Sequence, residues 1–98
     1  SEQNEALNVV GDRVAARIAG ALGADALIIL TNVPGLLRDL ADPSSLVATA
    51  TLEEAEALAQ GRMRKKILAA REALEGGVEE VVIRRAAGDP HVRTVIRA

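Results

Sequence analysis

Three observations predict an α/β domain built on a partly parallel sheet. Two segments of strand length stand out: Ala26–Thr31 (ALIILT), a continuous apolar run without the polar alternation of a half-exposed strand, and residues 78–84, with Val81, Val82 and Ile83 as an apolar centre. Stretches with apolar residues at helical spacing precede the first segment and separate it from the second, so helix and strand alternate along the chain. The third observation is size, because 98 residues leave room for one domain and one core. The expected architecture is a three-layer sandwich spanning 1–98 as a single domain, with a small β-hairpin inserted beside the sheet.

Each element has a local reason. Asp12 is expected to cap the first helix, on which Val14, Ile18 and Leu22 recur on one face before Gly23 stops it. The strand Ala26–Thr31, read as covered on both faces, runs into Asn32-Val33-Pro34-Gly35. There proline sets one φ and glycine takes the positive φ of a type II turn. Residues 36–40 and 47–50 form the hairpin across Asp42-Pro43-Ser44-Ser45. Thr51-x-x-Glu54 is a capping box that opens a helix over 52–60, ended by Gly61. The next helix covers 62–75, with Met63, Ile67, Ala70 and Leu74 as its apolar stripe and Gly76-Gly77 as its stop. A strand over 78–84, a turn at Gly88-Asp89-Pro90 and a last strand over 92–96 complete the order. The expected core is Val14, Ile18, Leu22, Ile28, Leu30, Ile67, Leu74, Val81 and Ile83.

Composition narrows the function classes. Hydrophobic residues at 49% and charged residues at 27% fit an ordinary globular domain and exclude disorder. No stretch approaches about 18 uncharged apolar residues, so no membrane span is expected. The opening SEQNEALN is polar and acidic, unlike a signal or transit peptide, and the expected compartment is the cytoplasm. With no cysteine and one histidine, His91, neither thiol chemistry nor a metal site is expected. There are no aromatic residues to stack on bases, and a net charge of −2 with a pI of about 5.4 also argues against nucleic acid. An aromatic-free, alanine-rich core fits high-GC drift and deliberate simplification equally.

The charge is unevenly spread. Arg62, Arg64, Lys65, Lys66 and Arg71 cluster at and after a helix start that follows Gly61. The helix dipole disfavours cations at that end by roughly a few tenths of a kcal/mol each. A bound polyanion reverses the sign, and phosphate is the natural candidate; a solvated basic face is the plain alternative. Neither a Walker loop nor a dinucleotide fingerprint occurs. Asp12 has a second reading, as an acid that positions lysines around a transferring phosphoryl group, which requires a lysine from elsewhere in the fold. Asn32 and the Pro34-Gly35 turn follow a buried strand, the usual ligand position in an α/β sheet. His91 reads as a surface-loop residue.

Four segments carry a family resemblance. Asn4-Glu-Ala-Leu-Asn-Val-Val-Gly-Asp12, Leu30-Thr-Asn-Val-Pro-Gly-Leu-Leu37, Ala57-Leu-Ala-Gln-Gly-Arg-Met-Arg-Lys-Lys66 and Glu75-Gly-Gly-Val78 resemble the C-terminal half of amino acid kinases. The likeness is greatest to the branch that phosphorylates aminoadipate or glutamate held on an amino-group carrier protein, and smaller to acetylglutamate kinases. Asn32 favours the first branch, since acetylglutamate kinases usually carry aspartate there.

The resemblance implies that Lys66 stabilises the transferring phosphoryl group, that Asp12 organises the catalytic lysines and that Asn8 holds the carboxylate end of the substrate. It also implies that Asn32, Val33, Pro34, Gly35, Leu36 and Leu37 border the nucleotide, with Gly61 and Lys65 near its phosphates. ATP with Mg²⁺ is the implied cofactor. The implied partners are a nucleotide and either a separate N-terminal kinase half or an amino-group carrier protein, with homo-oligomers also open.

The departures matter as well. The family's glycine-rich segment with its own lysine, and the lobe that seats the amino acid, have no counterpart in these residues. Val10 stands where the family is often polar, the stretch after Arg84 is short, and the family's aromatics are replaced. The expected function is an isolated ATP/ADP-binding half-domain, natural or engineered, that is inactive alone. The alternative is a folded scaffold with no native ligand or catalytic activity.

Overall fold

In the computed structural model, which describes residues 11–98, the chain passes first through helix α1 (Asp12–Leu22) and strand β1 (Ala26–Thr31). A short 3-10 turn (Pro43–Ser45) then leads to strand β2 (Thr49–Thr51) and to helices α2 (Leu52–Leu58) and α3 (Met63–Glu75). Strands β3 (Glu80–Arg85) and β4 (Arg93–Arg97) finish it. The four strands lie in the order β1-β3-β4-β2. β1 runs parallel to β3, β3 antiparallel to β4, and β4 parallel to β2. The α/β class and the partly parallel sheet are as the sequence predicts.

Register decides which side chains meet. Leu27 pairs with Val81, Ile29 with Ile83, and Val81 in turn with Ile96, so alternation puts these five residues on one face. They join a single core with Ala15, Ala16 and Ala19 of α1, Ala55 of α2, and Ile67, Ala70 and Ala73 of α3. All three described helices contribute to that one core. Ile28, Val82 and Val95 occupy the other face.

β1 is therefore not covered on both faces. Ile29 is 1% exposed while Ile28 is 50% exposed, so Ile28 leaves the expected core. The α1 stripe is corrected too. Ala15, Ala16 and Ala19 are buried, whereas Val14 is exposed, Leu22 is 77% exposed and Ile18 is only half-buried. Helix proximity explains the choice: a Cβ on Gly20 would stand 3.4 Å from the backbone of Gly76, just after α3. Small residues fill so narrow a gap, and the larger aliphatics turn elsewhere. Ile18 and Leu22 help line a groove of about 410 Å³ along β1 with Leu27, Ile28, Leu30 and Arg84. Leu30 and Leu74 are half-buried, while Ile67, Val81 and Ile83 are buried as expected.

The hairpin shrinks to one antiparallel bridge between Leu37 and Leu46. Its 3-10 turn is capped by Asp42, whose side chain accepts the Ser44 N–H. The strand expected over 47–50 instead forms at Thr49–Thr51 and joins the main sheet beside β4. The Thr51–Glu54 capping box forms as read, with reciprocal bonds of 3.1 and 2.9 Å. Its helix ends at Leu58, where Ala59 adopts an extended conformation before Gly61 is reached. Gly23 closes α1 in the left-handed conformation, at φ 68°.

Candidate functional site

Lys66 and Asp12 lie 54 residues apart in sequence and meet in the fold. The Lys66 ammonium donates to Asp12 Oδ2 at 2.8 Å and to the Leu30 carbonyl at 3.2 Å. Lys66 belongs to the first turn of α3, Asp12 opens α1, and Leu30 is one residue from the end of β1. Two helix N-termini and the carboxyl end of a strand thus converge on one cation. This is where α/β sheets bind ligands.

Asp12 is not the N-cap that its position suggests. Gly11 fills that place with φ 104° and no side-chain cap bond, which releases the Asp12 carboxylate toward Lys66. The dipole of α1 favours a carboxylate in its first turn, while that of α3 opposes Lys66. The ion pair offsets this opposition. An ammonium has three donors and no acceptor. Among the described residues two are engaged, by Asp12 and Leu30, which leaves one N–H without a partner there, and the side chain keeps 22% of its exposure.

The neighbouring basic residues divide into two sets. Arg62, Arg64 and Lys65 are exposed at the start of α3, where Arg62 supplies no side-chain cap. Arg71 belongs elsewhere, paired with Glu56 at 3.3 Å and with Glu75 at 3.6 Å. Gly61 leads into this corner with φ 55°, a left-handed conformation that suits glycine.

From Thr31 the chain enters the segment 32–37. Asn32 is exposed, Val33 and Pro34 are half-buried, and Gly35, Leu36 and Leu37 are buried. The Leu36 side chain lies in the core. Gly35 does not form the expected type II turn, because its φ is 158° rather than about +80°. Glycine is needed there for room: a Cβ would stand 2.6 Å from Thr94 Oγ1 and 2.9 Å from Leu46 Cδ1. Beyond Pro34 lies a small recess of about 150 Å³ bordered by Arg85, Gly88, Asp89 and Val92.

Two participants escape a sequence reading. The Leu30 carbonyl carries no side-chain signal at all. Thr94 carries a weak one, as a polar residue beside Val95 and Ile96 in the centre of the last strand. It is fully buried, accepts the Leu36 N–H at 2.9 Å and donates to the Val47 carbonyl at 2.6 Å. Asn8 lies outside the described residues. His91 is exposed in the β3–β4 loop, where its N–H donates to Asp89.

Among the described residues no three His, Cys, Asp or Glu side chains gather as a metal cage, and no helix is long and apolar enough to cross a membrane. The groove beside β1 has neither Lys66 nor Asp12 in its lining, although Leu30 borders both the groove and the Lys66 ammonium.

Comparison with known proteins identifies the family. A model described as the amino acid kinase family matches residues 1–85. LysW-aminoadipate kinase of Deinococcus radiodurans is 50% identical over 92% of this chain and 32% of its own length. Acetylglutamate kinase of Anaeromyxobacter dehalogenans is 45% identical over 84% of this chain and 32% of its own. The chain therefore spans about a third of the length of these curated relatives. Among solved structures, N-acetylglutamate synthase from Neisseria gonorrhoeae, complexed with coenzyme A and N-acetylglutamate, superimposes with a TM-score of 0.76. That match has 31% identity and covers 89% of this chain and 23% of the other.

Proposed function

The chain belongs to the amino acid kinase family, and from that premise we propose that it is a nucleotide-binding half-domain. Its ligand is ATP or ADP, bound at the corner formed by Lys66, Asp12 and residues 32–37. The whole enzyme it represents phosphorylates the side-chain carboxylate of aminoadipate or glutamate held on an amino-group carrier protein. The observation that carries this reading is the Lys66 ammonium, fixed by Asp12 and Leu30, with one donor unengaged among the described residues. Such a cation suits phosphoryl transfer, which depends on positioning and on charge around the equatorial oxygens.

Asp12 holds Lys66 in place, and Lys65 and Gly61 extend the basic corner toward the phosphates. Asn8 is assigned to the substrate carboxylate by the family resemblance alone. Mg²⁺ characteristically keeps waters and binds substrate phosphates with few carboxylates, which suits a corner whose one carboxylate is already engaged. Bound there, it would neutralise charge on the triphosphate. A cytoplasmic setting belongs to the same reading.

The exposed groove beside β1 supports a second half. Leu22 at the end of α1 and Ile28 on β1, an edge strand among the described residues, are exposed, and the relatives are about three times longer than this chain. A separate N-terminal kinase half is the partner proposed for that surface.

Lys66→Ala tests the assignment. Charge-assisted hydrogen bonds contribute about 1.5–3 kcal/mol, so ATP affinity should fall by about ten- to a hundredfold while adenosine affinity is retained. Equal losses for both ligands would show that the substitution acts through folding.

A further inference from the structure

Residues 36–38 and 45–47 face each other as antiparallel neighbours around the Leu37–Leu46 bridge. Arg38 N–H donates to the Ser45 carbonyl at 3.2 Å, and Val47 N–H donates to the Leu36 carbonyl at 2.9 Å. A hydrogen-bonded antiparallel pair exchanges two such bonds. Between Leu36 and Val47 the second bond is replaced: the Leu36 N–H donates to Thr94 Oγ1, and the Thr94 hydroxyl donates to the Val47 carbonyl. The hydroxyl of β4 is thus inserted into the rung as a wedge. Gly35 closes over it, with no space for a Cβ. Its neighbour Val95 continues the attachment by donating its N–H to the Ala48 carbonyl at 2.9 Å.

We propose that Thr94 is the positioning residue of the nucleotide loop. Residues 32–35 are suspended between the end of β1 and the point where Leu36 is pinned to Thr94. The upstream end is set by strand pairing and the downstream end by this one hydroxyl. Without it, Leu36 and Val47 can restore their rung only by closing on each other, which draws the loop away from its present place. A buried hydroxyl with both neighbours satisfied has one favourable arrangement, so the position is specific and not merely packed. The nucleotide consequence rests on the function proposed above; the latch itself does not.

Thr94→Val keeps the shape and removes the hydroxyl, and Thr94→Ser keeps the hydroxyl. In Thr94→Val the Leu36 amide is expected to exchange with solvent at least tenfold faster than in the unsubstituted chain, while Ile83 and Ile67 amides keep their protection. Its affinity for ATP and for adenosine should fall together, by about fivefold, in contrast to the ATP-selective loss of Lys66→Ala. Thr94→Ser should restore both readouts. Gly35→Ala, which presses on the same hydroxyl from the loop side, should reproduce the Thr94→Val pattern and serves if that variant fails to fold.

Unchanged Leu36 exchange in the folded variants would overturn the latch. Faster Leu36 exchange with unchanged ligand affinity would overturn the positioning role, as would failure of serine to rescue a folded protein. If the unsubstituted chain binds no nucleotide, the proposed function and the nucleotide consequence fall together, and Leu36 exchange alone decides the latch.

Discussion

Lys66 stands where its own helix disfavours a cation, held by a carboxylate and a carbonyl that sequence distance conceals. With both side chains partly exposed, such a pair adds about 1 kcal/mol or less to stability. Burial at the residue scale also separates two adjacent isoleucines. Ile29→Asp places an unpaired carboxylate in the core and should remove several kcal/mol, about 3–5, enough to abolish cooperative melting. Ile28→Asp meets solvent on the other face and should cost about 1 kcal/mol or less. Far-UV circular dichroism on heating distinguishes them in this chain without aromatics. A cooperative melt in Ile29→Asp would contradict the register of β1.

Elements differ in how far their causes reach. The Thr51–Glu54 cap is local, so its motif is legible in four residues, and Thr51→Ala should cost about 1 kcal/mol by thermal melt. The buried face of α1 is not local. It is set by the close approach of the segment ending α3, and this favours Ala15, Ala16 and Ala19 over the larger aliphatics that periodicity alone selects. Gly35 shows the same limit, because what it makes room for lies 59 residues away at Thr94.

The caps also set a pH dependence. The Thr51 backbone N–H holds Glu54 below its ordinary 4.5, the Ser44 hydroxyl holds Asp42 below 3.8, and the Arg13 guanidinium holds Glu72 below 4.5. A carboxylate depressed on folding stabilises fully above its unfolded pKa and loses that contribution as pH falls through the folded one. The melting temperature should therefore decline below about pH 4.5, with these groups contributing no slope between about pH 6 and 8. Glu54→Gln keeps an acceptor but cannot titrate, and should make the acid limb shallower. An unchanged acid limb would remove Glu54 from the account.

At the scale of the whole molecule, the α/β order, the mixed sheet and the basic helix start are all legible along the sequence. Which face of β1 stays open, and which oxygens hold Lys66, depend on contacts between distant segments and emerge only in three dimensions. The exposed groove along β1 and the short span relative to its relatives lead to one kinetic prediction. The chain by itself should release no ADP above background from ATP with free aminoadipate, N-acetylglutamate or the carrier-bound amino acid. Line-up of donor and acceptor is worth several kcal/mol, and in the proposed function Lys66 and Asp12 act from the nucleotide side. Turnover that disappears in Lys66→Ala would mean that the catalytic set is complete without a second half.

Titration of the ¹⁵N-labelled chain with ATP–Mg²⁺, followed by amide chemical shifts, tests the central claim most directly. The nucleotide corner built on Lys66, Asp12 and Leu30 predicts shifts localised to residues 32–37 and 61–66, with Leu36 among them, and little change along the β1 groove at Ile18, Leu22 and Ile28. No shift at millimolar nucleotide, or shifts confined to that groove, would contradict it.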